Sequence, residues 1–169
     1  SQADPLLRIA DPSARLVVDP NPRPGYLPTP QHVARFREAV ERIAARARLV
    51  KVGDEDAELV WGTQPHAVAS RLLALGAEGV LVTEGPGGAT AHARAASVHA
   101  PIRAMREPIV DTIGAGDATI AAVAAALAEA EITGTDVGDE WWRDVLDDAM
   151  AIAAATCRVE GGLLQLPPR

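Results

Sequence analysis

The run Asp111-Thr112-Ile113-Gly114-Ala115-Gly116-Asp117 sets two glycines between two carboxylates, immediately ahead of an alanine-rich stretch. Gly114 and Gly116 permit a tight turn that residues with a Cβ resist. At the start of a helix the amides of Gly114, Ala115 and Gly116 would point outward and form an anion hole, reinforced by the helix dipole. Asp117 follows at once, where it could take the proton of a hydroxyl attacking a phosphoryl group held in that hole. The plainer alternative is a capped helix behind a glycine turn, since carboxylates commonly cap helices. Two other phosphate-binding patterns do not fit. No Gly-x-x-x-x-Gly-Lys-Ser/Thr string occurs, and a dinucleotide fingerprint would need a third glycine where Thr119 stands, after a strand that residues 103–108 form poorly.

Such a loop needs a scaffold, and the flanking sequence predicts one. Leu16-Val17-Val18, Leu49-Val50-Lys51-Val52 and Gly79-Val80-Leu81-Val82-Thr83 read as buried strands. Residues 89–93 and 95–98 read as shorter strands beyond a turn at Gly85-Pro86-Gly87-Gly88. Thr29-Pro30 opens a helix, with Thr29 as N-cap and Val33, Phe36, Val40, Ile43, Ala44 and Ala47 on one face. A short helix begins near Gly53, and residues 66–75 form another with Val68, Leu72 and Leu75 as its stripe. Residues 117–131 and 140–158 form the last two, the second with Trp142, Val145, Leu146, Ala149, Ile152, Ala153 and Thr156 buried. Strands alternating with helices imply an α/β fold, a parallel sheet with helices on both faces. Ligands of such sheets sit at the carboxyl ends of the strands, where Asp19, residues 51–56 and residues 83–85 fall.

Composition narrows the function classes. The chain has 169 residues, enough for one domain, with 16 Lys+Arg against 23 Asp+Glu and a net charge of -7. That balance argues against nucleic acid or an anionic membrane surface as partner. No apolar run is long enough to span a membrane, and residues 1–7 lack the basic and apolar regions of a signal peptide. A single cysteine, Cys157, rules out an internal disulfide, fits a reducing cytoplasmic setting and reads as a core residue. His32, His66, His92 and His99 show no metal-ligand spacing and read as surface or strand-edge residues. Trp61, Trp141 and Trp142 read as packing residues rather than a ligand platform.

The string Asp-Thr-x-Gly-Ala-Gly-Asp at residues 111–117 closely resembles the C-terminal signature of the ribokinase-like, or phosphofructokinase-B, carbohydrate kinases. Other landmarks follow in the same order. Asp19-Pro20-Asn21-Pro22-Arg23-Pro24 resembles a segment of bacterial fructokinases, and Lys51-Val52-Gly53-Asp54-Glu55-Asp56 the segment after the next strand. Val82-Thr83-Glu84-Gly85 resembles a Val-Thr-Leu-Gly turn, and residues 153–157 with Gly161-Gly162 resemble the last helix and its closing turn. The resemblance implies a Rossmann-like ribokinase fold. Residues 1–169 would be its C-terminal nucleotide-binding and catalytic part, with the N-terminal half and the lid missing. It implies an ATP-dependent sugar kinase, most like a fructokinase, that transfers the γ-phosphate of MgATP to a sugar hydroxyl. A 2-keto-3-deoxygluconate kinase and a non-catalytic nucleotide-binding remnant stay open as alternatives.

By that resemblance Asp117 is the base, and Gly114, Ala115 and Gly116 hold the transferring phosphoryl group. Thr83, Gly85, Asp111 and Thr112 line the nucleotide phosphates, and Asn21 and Arg23 face the sugar. Asp56 helps to organise Mg²⁺, and Asp111 a monovalent cation such as K⁺. The partner is a small sugar, and the complete protein would be a homodimer. Two departures stand out. The family often carries Asn-x-x-Glu where this chain has Gly53 and Asp56, with Asp54 and Glu55 as acidic substitutes nearby. Glu84 replaces an expected leucine and brings a carboxylate close to where phosphates would bind.

Overall fold

The computed structural model describes residues 15–93, 97–104 and 108–162. Five strands form one sheet in the order β1-β2-β3-β4-β5: β1 (Leu16–Val18), β2 (Ala47–Gly53), β3 (Gly79–Thr83), β4 (Ala89–Ala93) and β5 (Ser97–Ala100). β1 pairs parallel to β2, with Leu16 opposite Ala47 and Val18 opposite Val50. β2 pairs parallel to β3 in continuous register from Val50–Val80 to Gly53–Thr83. The helices are α1 (Pro30–Ala44), α2 (Asp54–Trp61), α3 (Pro65–Leu75), α4 (Ala115–Thr133) and α5 (Asp139–Thr156). The chain divides into two compact units. The first takes residues up to 84 together with 91–97, and the second takes 85–90 together with everything from 98 onward.

The first unit is built on parallel pairing, which buries strands on both faces and so selects continuous apolar runs. Val80, Leu81 and Val82 are fully buried, as are Leu49 and Val50. α1, α2 and α3 all contact β2, and α3 also packs on β3. Their buried side chains, Ala44, Ala57, Val68, Ala69 and Leu72, join Val50, Val52, Val80 and Val82 in one core. α1 begins as its sequence predicts: Thr29 is extended, its Oγ1 accepts from the His32 amide at 3.4 Å, and Pro30 follows at the first helical position. The helix ends at Ala44, and Ala47, expected on its apolar face, is instead the first residue of β2. Ala47 is buried there, facing β1. Its side chain is too small to distinguish a helix stripe from a strand by periodicity alone. Leu75, placed on the stripe of α3, is 42% exposed, and Ala69 takes its place in the core.

In the second unit α4 and α5 pack along each other. α4 buries Thr119, Val123, Leu127 and Ala130, and ends at Gly134, whose φ of 68° closes it with a left-handed cap. α5 buries Trp142, Leu146, Ala149, Met150, Ala153, Ala154 and Thr156. Ile152, expected within that stripe, is exposed, and Met150 and Ala154 occupy the buried face instead. Cys157 is buried as expected, and burial pushes its thiol pKa up. The strand expected at 95–98 lies partly outside the described residues; its described part is Ser97–Ala100. The expectations for residues 1–7 also lie outside them. Among the described residues no helix is long and apolar enough to cross a membrane.

Candidate functional site

In the second unit, the candidate loop at 111–117 is fixed from behind by the segment after α5. The amides of Val110 and Asp111 both donate to the Cys157 carbonyl, at 2.9 and 3.3 Å. The Asp111 carboxylate spans the remaining gap. Its Oδ1 accepts from the Ile113 amide at 3.0 Å, and its Oδ2 accepts from the Gly161 amide at 3.1 Å. These amides, Ile113 first and Gly161 next, hold the Asp111 carboxyl below the usual carboxylate range. Gly114 sits at φ 82°, in the left-handed region, and is the N-cap of α4. A Cβ there would meet the Gly162 carbonyl oxygen at 3.0 Å, and a Cβ at Gly162 would come within 2.5 Å of the Ile113 carbonyl oxygen. The two glycine backbones therefore touch without side chains between them, and this contact sets where α4 begins.

α4 starts at Ala115, two residues earlier than the sequence reading has it, so Asp117 is the third helical residue and is exposed. Ala118 donates to the Gly114 carbonyl at 2.8 Å, the first closed turn of the helix. Of the three amides expected to face outward, that of Ala115 turns back to the Thr112 carbonyl at 3.3 Å. Gly116 and Asp117 occupy the next two positions, whose amides have no intrahelical acceptor. The positive end of the α4 dipole thus coincides with an exposed carboxylate and with backbone that carries no bulk at Gly114 or Gly116. Thr112 is exposed beside it.

In the first unit, the candidate residues stand at strand ends. Lys51 lies inside β2, as its place in the strand expected at 49–52 requires, and its Nζ reaches Asp19 beyond β1, at 3.0 Å to Oδ2 and 3.2 Å to Oδ1. Their side chains are 8% and 16% exposed, so this is a largely buried pair that anchors the loop carrying Asn21 and Arg23. Asn21 has φ 39°, a conformation asparagine tolerates better than most residues. Arg23 is exposed and accepts the Tyr26 amide through its carbonyl at 2.9 Å. At the end of β2, Asp56 Oδ2 accepts from the Gly53 amide at 3.0 Å, capping α2. A Cβ on Gly53 would lie 3.0 Å from Asp56 Oδ2 and 3.8 Å from Thr83 Oγ1. Gly53, Asp56 and Thr83 therefore meet at one edge, while Asp54 and Glu55 are exposed beside them. Among the described residues no group of three or more His, Cys, Asp or Glu side chains is placed to hold a metal ion by itself.

The carboxylate of Glu84 is directed at α3: its Oε1 lies 3.4 Å from His66 Nε2. The sequence reading leaves His66 without an acidic partner, and eighteen residues of chain hide the contact from any local motif. Gly85, in the second unit, has φ 50° and opens the turn Gly85–Gly87.

Comparison with known proteins gives consistent results. The model of the "pfkB family carbohydrate kinase" matches residues 18–168. A fructokinase of Rhizobium leguminosarum bv. trifolii is 38% identical over 112 residues, which is 65% of this chain and 32% of that protein. The probable chloroplastic fructokinase-6 of Arabidopsis thaliana is 31% identical over 157 residues, 91% of this chain and 39% of that one. Among solved structures, aminoimidazole riboside kinase from Salmonella enterica, complexed with aminoimidazole riboside and an ATP analogue, superposes with a TM-score of 0.73. It is 22% identical, over 95% of this chain and 51% of that chain. The chain thus spans about half or less of the length of these relatives.

Proposed function

Because the chain belongs to the pfkB family of carbohydrate kinases, we propose that it carries the catalytic base and the phosphate-binding loop of an ATP-dependent sugar kinase, most like a fructokinase. The observation that carries this reading is the start of α4: an exposed Asp117 in the first turn of a helix that opens from a left-handed glycine. The identities of 38% and 31% to two fructokinases support the choice of sugar class. Residues 1–169 would be the C-terminal nucleotide-binding and catalytic part of the kinase. The strands and lid on the sugar side would belong to sequence that this chain does not contain.

In this reading Asp117 accepts the proton of the attacking sugar hydroxyl. The amides of Gly116 and Asp117 at the α4 start face the developing charge on the phosphoryl oxygens, on the turn that Gly114 and Ala115 form. Asp111 and Thr112 shape that loop, and Thr83 and Gly85 serve the nucleotide phosphates. Asn21 and Arg23 serve the sugar. Bound Mg²⁺ would neutralise phosphate charge. The residues present fit it through Asp56, one oxygen of which caps α2 while the other stays available to a metal-bound water, because Mg²⁺ keeps most of its waters and uses few carboxylates. A monovalent cation such as K⁺ beside Asp111, a homodimer and a cytoplasmic setting complete the proposal.

The test is Asp117→Asn in the protein that carries this chain, assayed by coupled ADP release with fructose. The expected loss in kcat is about 10²–10⁴-fold, with ATP affinity retained. A variant that keeps more than roughly half of wild-type kcat would remove the base from Asp117.

A further inference from the structure

Strand β4 and the first turn of α3 bring two imidazoles together in the first unit, neither of them assigned above to phosphate or sugar. His66 Nδ1 and His92 Nε2 face each other at 2.9 Å. The rings meet edge to face, with centroids 5.1 Å apart and planes at 72°. The outer nitrogens are also faced by oxygen. Glu84 Oε1 lies 3.4 Å from His66 Nε2, and Ser97 Oγ lies 3.3 Å from His92 Nδ1. Between the two inner nitrogens only one proton can sit, so one imidazole must donate and the other accept.

We propose that His66 and His92 form a binding site for a borderline divalent cation of the Zn²⁺ class; the cation sits between their facing nitrogens, and the proton held there moves to the outer nitrogen of the donating ring. Zinc binds imidazole nitrogen at about 2.0–2.1 Å, so two such bonds at a tetrahedral angle set the nitrogens about 3.3 Å apart. The observed 2.9 Å needs an opening of a few tenths of an ångström together with a turn of the rings that brings both lone pairs to one point. His66, with its side chain 48% exposed at the start of a helix, is free to make that adjustment. Metal-bound histidines almost always direct the other ring nitrogen at a carboxylate, carbonyl or water, which fixes the tautomer and raises ligand basicity. Glu84 stands behind His66 in that role, and Ser97 stands behind His92. Burial, with His66 adding to it and Glu84 opposing, holds the His92 pKa below its ordinary value. No third His, Cys, Asp or Glu among the described residues reaches the same point, so water fills the remaining positions and the ion exchanges. Hard cations such as Mg²⁺ prefer oxygen ligands and do not compete.

Occupied, the site ties the start of α3 to β4. It also holds Glu84 against His66, on the residue next to Thr83. The proposal is independent of the kinase reading.

Zn²⁺ is titrated calorimetrically into the untagged protein in excess Mg²⁺, alongside His66→Gln, His92→Gln, Glu84→Gln and His32→Gln variants. One saturable equivalent is expected. Either ligand substitution removes it, Glu84→Gln weakens it about 10–100-fold, and His32→Gln leaves it unchanged. Imidazole resonances of the wild type give a second measurement that needs no variant: Zn²⁺ should shift those of His66 and His92 and leave His32 and His99 in place. Absence of saturable binding, binding that survives loss of either ligand, or a shift at His32 or His99 instead would overturn the proposal.

Discussion

Alanine at Gly162 separates two effects that are usually confounded, because its neighbour Gly161 supplies an internal control. Both glycines have positive φ, 76° at Gly161 and 69° at Gly162. Holding an L-residue there costs about 1–2 kcal/mol. A Cβ on Gly161 meets nothing within 4 Å, whereas one on Gly162 would come within 2.5 Å of the Ile113 carbonyl oxygen and 2.9 Å of its carbon. The second overlap is with backbone, which cannot rotate away, and overpacking of this kind adds about 1–3 kcal/mol. Gly161→Ala should therefore lose about 1–2 kcal/mol and Gly162→Ala about 2–5 kcal/mol. For a chain of this size each kcal/mol is roughly 2–4 °C in Tm. Unfolding is followed by fluorescence in a Trp61→Phe background, where the remaining tryptophans, Trp141 and Trp142, both report from α5. Equal losses at the two positions would show that the contact between Gly162 and the Ile113–Gly114 backbone does not constrain the loop.

Three further outcomes are expected. Lys51→Met should destabilise the protein by about 3–5 kcal/mol, because it leaves Asp19 largely buried without its partner, and adding Asp19→Leu should recover most of the loss; chemical denaturation of the single and double variants measures both. Glu41 has its pKa lowered chiefly by its hydrogen bond to Arg71, against a smaller opposing effect of burial, with Trp61 also donating to it at 2.9 Å. A depressed carboxylate contributes stability above its unfolded value of 4.5 and loses it as pH falls through the folded pKa; Glu41→Gln should therefore flatten the acid limb of a stability-against-pH curve, and an unchanged limb would refute the assignment. Gly114→Val should weaken ATP binding more than Asp117→Asn does, because a β-branched residue opposes φ 82° and would press on Gly162; equal affinities in a nucleotide titration would place the anion site elsewhere.

What could be read from sequence follows what is local. β3 is readable because an unbroken apolar run at 79–83 matches a strand buried on both faces. The start of α1 is readable because Thr29 and Pro30 act within one turn. Alanine is where the reading slips. Ala47 and Ala154 are compatible with either assignment, and only the tertiary packing decides that Ala47 opens a strand and that Ala154 replaces Ile152 on the buried face of α5. The loop at 111–117 is legible as a glycine turn opening a helix from its own residues, but its supports are not. Asp111 reaches Gly161 across fifty residues, and no spacing rule anticipates that bond. Separations of 18 and 26 residues likewise hide the grouping of His66, Glu84 and His92, which is set by α3 packing on β3 and by β4 lying beside β3.

The bonds from Asp111 to Gly161 and from residues 110–111 to Cys157 have a consequence for synthesis. A ribosome delivers Asp117 and all of α4 well before the residues that position them. Until Cys157 and the two glycines after it have emerged, the nascent chain holds the candidate base Asp117 on a helix whose starting point is not yet set. A frameshift or a nonsense codon after α5 would therefore damage chemistry encoded some fifty residues upstream, leaving every candidate catalytic side chain present in sequence and none of the loop's rear anchorage.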